Sequence, residues 1–238
     1  MGYRLPYDLI CIFFEVDSNI KDKTMPEKSI NEFLKQAYSV KNTKDTKKFY
    51  AHFAENYDEL LEKANYQQPI RCADKLRQLI EPENQLVLDI GCGTGLSGRA
   101  LKANGFTNLD GCDLSSEMLT VAKSANIYNM IFTVDMNKPP IPVRSESYDA
   151  ALCVGCFSFG HVQAEAMDEV LRILKPGGVF VLGFNDHYFQ TGALKKKLDA
   201  LVANRRITAY SQELGDHIAG VGSVGWVVGG FRANPKES

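Results

Sequence analysis

The sequence predicts an α/β protein built on a parallel sheet with helices on both faces, and three observations carry that prediction. Short apolar runs at residues 86–90, 109–114, 130–136, 148–156 and 179–184 alternate with stretches of helical periodicity. The runs are apolar at consecutive positions, which marks strands buried on both sides. The chain of 238 residues is 45% hydrophobic and 24% charged, the makeup of a globular protein with one large domain.

Residues 1–45 are expected to be an N-terminal extension, partly helical or flexible, ahead of a domain spanning 46–238. The apolar run at 9–14 lies between Asp8 and Glu15. It falls well short of the roughly 20 residues a membrane helix needs and lacks the layout of a signal peptide. Ile30, Phe33, Leu34 and Ala37 predict a short helix behind the capping box Ser29-Ile-Asn-Glu32. One helix is predicted over 47–63, because Tyr50, Phe53, Tyr57, Leu60 and Leu61 form a single stripe. Another, over 70–80, stops before Pro82. Between the strands, Met118, Val121, Ala122 and Ala125 predict one helix. Val162, Met167, Val170, Leu171 and Leu174 predict the next, which Lys175-Pro-Gly-Gly178 ends. Leu194, Leu198, Leu201 and Val202 predict a further helix, and Gly225-Trp-Val-Val-Gly-Gly-Phe231 belongs to a closing pair of strands, read as a hairpin.

Charge and cysteine usage narrow the function. With 27 Lys and Arg against 29 Asp and Glu, no excess charge draws the chain to nucleic acid or anionic lipid, so neither a nucleic-acid nor a membrane partner is expected. Six cysteines without an export signal read as reduced thiols in a cytoplasmic protein. Cys153-Val-Gly-Cys156 has metal-ligand spacing, but no second pair completes four ligands, and no metal site is assigned.

The chemistry concentrates at Val87-Leu-Asp-Ile-Gly-Cys-Gly-Thr-Gly95, a strand running into a glycine-rich turn that opens a helix. Such a turn brings backbone close to a ligand and aims helix N-terminal amides at it. Gly93-Thr-Gly95-Leu-Ser-Gly98 satisfies the dinucleotide pattern, with Asp113 about 20 residues on, so a nicotinamide enzyme is one reading. Asp89 argues against it, since an acid two residues before the loop repels a pyrophosphate and attracts a cation. Asp113 and Asp135 repeat the acid at the ends of the next two strands, the sheet edge where ligands bind. The Tyr-xxx-Lys pair of short-chain dehydrogenases is absent.

With these pieces the sequence resembles the class I S-adenosylmethionine-dependent methyltransferases over roughly residues 47–231. The matching segments are Asp89-Ile-Gly-Cys-Gly-Thr-Gly95, Gly111-Cys-Asp-Leu-Ser115 with Met118-Leu119, Asp135-Met136, Tyr148-Asp149 and Leu174-Lys-Pro-Gly-Gly178. A narrower likeness, to the Williams-Beuren-region methyltransferase-like proteins, rests on Lys48-Phe-Tyr50, Tyr57-Asp58 and Val154-Gly155 with Gly160-His-Val162. The resemblance implies a Rossmann-like, doubly wound, seven-stranded sheet and S-adenosyl-L-methionine as cofactor. It implies that Asp89 and the backbone of Gly91, Cys92 and Gly93 hold the methionine end, and that Asp113 accepts from both ribose hydroxyls. Leu114 would pack on adenine, Asp135 and the Met136 backbone would meet its amine, Val154 would border the cofactor, and Tyr57 would close over it as a lid. His161, after the fourth strand, is the candidate catalytic residue facing an acceptor. The acceptor is expected to be a small molecule or a protein side chain. The Asn-Pro-Pro-Tyr type of motif is missing, Pro139-Pro140 stands in the wrong place for it, and no Pro-Cys nucleophile occurs. Two other readings stay open, a catalytically silent cofactor-binding module and the nicotinamide oxidoreductase.

Overall fold

The structure is a computed structural model that describes residues 30–40, 42–54, 56–158 and 160–234. The apolar run at 9–14 and Ser29 of the capping box lie outside the described residues. Within them, one seven-stranded sheet has the order β3-β2-β1-β4-β5-β7-β6. Its strands are β1 (Leu86–Ile90), β2 (Asn108–Asp113), β3 (Met130–Thr133), β4 (Tyr148–Val154), β5 (Leu174–Asn185), β6 (Ile207–Ile218) and β7 (Ser223–Arg232). Strands β1 to β5 are parallel, whereas β7 runs antiparallel to both β5 and β6. The closing hairpin predicted from the Gly-rich end is therefore present, with β7 inserted between β5 and β6.

The two-faced burial follows from consecutive apolar positions. On one side Val87, Leu109, Leu152 and Val181 pack against Cys72, Ala73 and Leu76 of α4 (Gln68–Leu79) and Leu101 of α5 (Leu96–Ala103). Their neighbours Leu88, Ile90, Ala151 and Leu182 face the other side, against α7 (Met167–Ile173) and α9 (Ala193–Ala203). Each such side chain contributes about 1.5–3 kcal/mol on burial, so neither layer is dispensable. Between them in sequence, α6 (Ser116–Ser124) is capped by the Ser115 hydroxyl, which accepts from the Met118 N–H at 3.3 Å. The short α8 (Asp186–Phe189) follows β5.

The predicted single helix over 47–63 is two helices, α2 (Thr43–Phe53) and α3 (Tyr57–Lys63), behind α1 (Ile30–Ser39). The physical reason is Phe33 of α1, whose ring lies 5.2, 5.1 and 5.7 Å from those of Phe49, Phe53 and Tyr57. Residues 49 and 57 would stand about 12 Å apart along one straight helix, too far for a single ring to meet both. The turn at Asn56, whose N–H donates to the Phe53 carbonyl at 3.0 Å, brings Tyr57 back. The aromatic stripe is thus covered by α1, and a boundary at 45/46 falls inside α2.

Candidate cofactor and acceptor site

At the C-terminal ends of the parallel strands a cavity opens, with a void of about 1190 Å³ that is partly open to solvent. Tyr57, Gly91, Gly93, Asp113, Leu114, Asp135, Met136, Val154 and His161 all line it. Nine residues singled out in the sequence thus share one cavity, and two others do not reach it.

Those two are Asp89 and Cys92. Asp89 is fully buried beneath the glycine turn, where its Oδ2 accepts from the Ser97 hydroxyl and the Tyr128 phenol, each at 2.6 Å. Burial pushes its carboxyl up to about 7, against those two hydrogen bonds. Its Oδ1 is buried with no hydrogen-bond partner. Direct contact of the Asp89 side chain with a ligand is therefore corrected to a charge lying under the loop. The Cys92 side chain is buried too, with its sulfur 3.0 Å from where a Gly111 Cβ would stand, so the thiol packs on β2.

The turn itself also departs from expectation. Most of its amides are engaged internally, because Gly91 and Cys92 both donate to the Cys112 carbonyl, at 2.8 and 3.0 Å, and Gly95 donates to the Cys92 carbonyl at 2.8 Å. Gly93 donates to Asp113 Oδ2 at 2.9 Å. The polar groups left over at Gly91 and Gly93 are carbonyl acceptors, which suit a positively charged ligand. Left-handed φ values of 68° and 53° at these two positions favour glycine, and at Gly91 space demands it, since a Cβ there would lie 2.8 Å from that of Cys156.

Asp113 ends β2, with Oδ1 accepting from the Ser115 N–H at 2.8 Å. Burial raises its carboxyl, and the amides of Ser115 and Gly93 pull the other way. The two oxygens are held rigidly and each keeps a lone pair for a hydroxyl. Asp135 accepts from the Asn137 N–H at 3.0 Å through Oδ1. The Lys138 ammonium lies 3.2 Å from Oδ2 but off the line of a hydrogen bond, so this buried oxygen has an ion-pair neighbour and no hydrogen-bond donor. An exocyclic amine supplies one. The set of acceptors thus fits S-adenosylmethionine, whose ammonium, ribose hydroxyls and adenine amine are donors.

Above the cavity, α2 and α3 supply Tyr50 and Tyr57, and burial raises the Tyr57 phenol well above its usual range. The Thr46 hydroxyl donates to the Gly160 carbonyl at 2.8 Å, while Asp58 accepts from the Thr94 hydroxyl and the Arg99 guanidinium. His161 sits in a loop ahead of a single 3-10 turn at Ala164–Ala166, not at the start of a helix. Gly160, with φ 71°, makes the turn, and the imidazole meets Tyr50 edge-on with ring centres 5.5 Å apart. At the end of β4, the side chains of Cys153 and Cys156 meet. The left-handed Gly155 between them brings their Cα atoms to 6.2 Å.

Sequence reading missed the far wall of the cavity, formed by Tyr66, Asn185, His217 and Ile218. His217 and Ile218 belong to the strand that the Gly-rich end left undivided, and no motif surrounds Tyr66 or Asn185.

Comparison with known proteins agrees with this geometry. A methyltransferase-domain family model matches residues 88–182. The human methyltransferase-like protein 27 is 32% identical over 161 residues, covering 67% of this chain and 64% of that protein. A human protein named probable tRNA methyltransferase 9B is 30% identical over 113 residues, covering 45% of this chain and 23% of its own length. The chain therefore spans less than two thirds of the length of either relative. Among solved structures, an S-adenosylmethionine-dependent methyltransferase from Thermotoga maritima, described as a possible histamine N-methyltransferase, superposes with a TM-score of 0.56 at 20% identity, covering 76% of this chain and 97% of that one. At that identity the likeness speaks for the fold alone. The family match reaches further: it runs from β1 into β5, so residues 88–182 are a methyltransferase domain, and the chain is similar to the S-adenosylmethionine-dependent methyltransferases.

Proposed function

We propose that the chain transfers the methyl group of S-adenosylmethionine to a small-molecule acceptor. The observation that carries this is one cavity lined by Asp113, Asp135 and the glycine turn at one end and roofed by Tyr50 and Tyr57 at the other. In this reading Asp113 binds the ribose, Asp135 and the Met136 backbone bind adenine with Leu114 on its face, and the Gly91 and Gly93 carbonyls meet the ammonium. Val154 borders the methionine end and Tyr57 shields it from water. The bound cofactor supplies an already activated methyl group, so the protein's work is alignment and exclusion of water. His161 faces the acceptor from the lid side and is proposed to orient it.

A silent cofactor-binding module is less well supported, because the cavity extends beyond the acids to a second set of polar groups. The nicotinamide reading loses its footing in the sheet, whose antiparallel seventh strand differs from the all-parallel six-stranded dinucleotide order. The relative named for tRNA keeps RNA in view as an acceptor. The near-balanced charge of 27 basic against 29 acidic residues favours a small acceptor.

Methyl-tritiated S-adenosylmethionine offered with a metabolite extract, bulk tRNA and denatured protein in parallel tests the proposal. Label in the metabolite fraction, lost with Asp113→Ala, is the expected outcome. Label in tRNA, or in no fraction, contradicts it.

A further inference from the structure

We propose that the Asn185 amide and the His217 imidazole form the acceptor subsite, and that it takes an uncharged small molecule bearing a phenol-type hydroxyl. The inference rests on the methyl-transfer reading above and narrows it to one chemical class.

Both residues line the cavity that Asp113 lines. Asn185 is the last residue of β5 and His217 the last but one of β6, and because β7 is antiparallel to both, the two strands end at the same edge of the sheet. Gly225 of β7 stands between them. It pairs with Asn185 on one side and Gly215 on the other, and a Cβ there would come within 3.0 Å of the His217 Cβ.

The hydrogen-bond network fixes what each side chain offers. Asn185 Oδ1 accepts from the Tyr188 N–H at 2.8 Å, and since a backbone amide only donates, the Asn185 group left for the cavity is the Nδ2 donor. Gln68 Nε2 donates to the Trp226 carbonyl at 2.6 Å, and the Arg71 guanidinium donates to Gln68 Oε1 at 3.2 Å. Gln68 Oε1 is therefore an acceptor, and His217 Nδ1, 3.3 Å away, must carry the proton. That leaves Nε2 as a lone pair. The ring is also held edge-on to Tyr66 at 5.2 Å, and its backbone carbonyl accepts from the Gln67 N–H at 2.9 Å. A donor from β5 and an acceptor from β6 in the wall of one cavity match a hydroxyl, which gives one hydrogen bond and receives the other.

Charge narrows the class. The charged residues lining the cavity, Lys47, Asp113 and Asp135, belong to α2 and to the ends of β2 and β3, not to the β5–β6 edge. Arg71 lies near His217 but donates to the carbonyls of Glu213, Asp216 and Gly225. Among the described residues, an ionised acceptor group there would thus have no charged side chain of the cavity wall to pair with directly, the nearby Arg71 being engaged with backbone carbonyls, and its burial would cost several kcal/mol. Burial, aided by Arg71, lowers the imidazole to about 4, so it is neutral at physiological pH and a weak base. A phenol, near pKa ~10, releases its proton to such a base more readily than an aliphatic alcohol does. As the oxygen gains the methyl group, the C–S electron pair remains on sulfur and the hydroxyl proton passes to His217 Nε2, from which water takes it.

The test uses 2-naphthol, its methyl ether 2-methoxynaphthalene and 2-naphthoate as probes of the full-length protein saturated with S-adenosylhomocysteine. Calorimetry should show 2-naphthol binding at least about tenfold more tightly than either analogue, the effect of one unmatched buried hydrogen bond. In ¹⁵N spectra, 2-naphthol should move the His217 Nε2 resonance and leave the Nδ1–H in place. His217→Phe should reduce the preference to less than twofold with S-adenosylhomocysteine affinity unchanged. If that variant fails to bind S-adenosylhomocysteine, the wild-type comparison and the spectra decide. Absent or equal binding of the naphthol and its ether, or an unmoved Nε2 resonance, overturns the subsite. Failure of the wild-type protein to bind S-adenosylhomocysteine overturns the methyl-transfer reading instead.

Discussion

Asp89 shows how a residue expected at the ligand can lie beneath the loop that lines the cavity. Its position two residues before the first glycine marks the family, yet the side chain is buried under the loop between Ser97 and Tyr128. Because its folded pKa is about 7 and its unfolded value about 3.9, the folded state holds the proton more tightly. Ionisation therefore costs stability as pH rises from about 4 to about 7, and the loss is complete above that. Asn at this position keeps an oxygen for Ser97 and Tyr128 and cannot ionise. The melting temperature of Asp89→Asn relative to wild type should accordingly be higher at pH 8 than at pH 5, and a difference independent of pH would refute the buried-charge account. His217 is the opposite case. No motif surrounds it, its strand lies in the Gly-rich end, and only the tertiary pairing of β5, β7 and β6 brings it to the cavity.

At the scale of elements, the segment proposed as a lid, residues 43–54 and 56–63, is docked among the described residues by polar contacts that are partly exposed. The Asp58–Arg99 pair has side chains 33% and 42% exposed, so it contributes no more than about 1 kcal/mol. Thr46 to Gly160 adds one neutral hydrogen bond. The stronger cohesion is internal, among Phe33, Phe49, Phe53 and Tyr57, so α1, α2 and α3 should move as a unit. Ligand exchange requires that motion, and a bound ligand under Tyr57 should oppose it. Hydrogen exchange across residues 43–63 is expected to slow when S-adenosylhomocysteine is added, and Tyr57→Ala should weaken its binding more than Tyr57→Phe. Identical exchange with and without ligand would make the segment plain core. Periodicity located this aromatic stripe, but the break at Asn56 was not legible, because it arises from a ring on another helix. The parallel strands β1, β2 and β4 were legible to within two residues, since a strand buried on both faces leaves an uninterrupted apolar run, whereas β3 ends three residues before its run does and β5 begins at Leu174, five residues before its run.

For the whole molecule, the sheet order separates readings that the glycine pattern alone leaves together. A GxGxxG turn and an acid about 20 residues on fit a dinucleotide or S-adenosylmethionine equally, whereas an antiparallel strand inserted between β5 and β6 belongs to this chain's topology and not to the dinucleotide order. That strand was expected as half of a hairpin, but its insertion was not readable, because pairing partners far apart in sequence leave no local pattern. Among the described residues no helix is long and apolar enough to cross a membrane. The central claim is that the acids at the strand ends bind S-adenosylmethionine, and calorimetric titration with S-adenosylhomocysteine tests it most directly. One site per chain is predicted, with Asp113→Ala weakening it on the order of a hundredfold, the loss of hydrogen bonds to a charged group at roughly 1.5–3 kcal/mol each. No binding to the wild-type protein, or unchanged affinity in Asp113→Ala, would contradict the account.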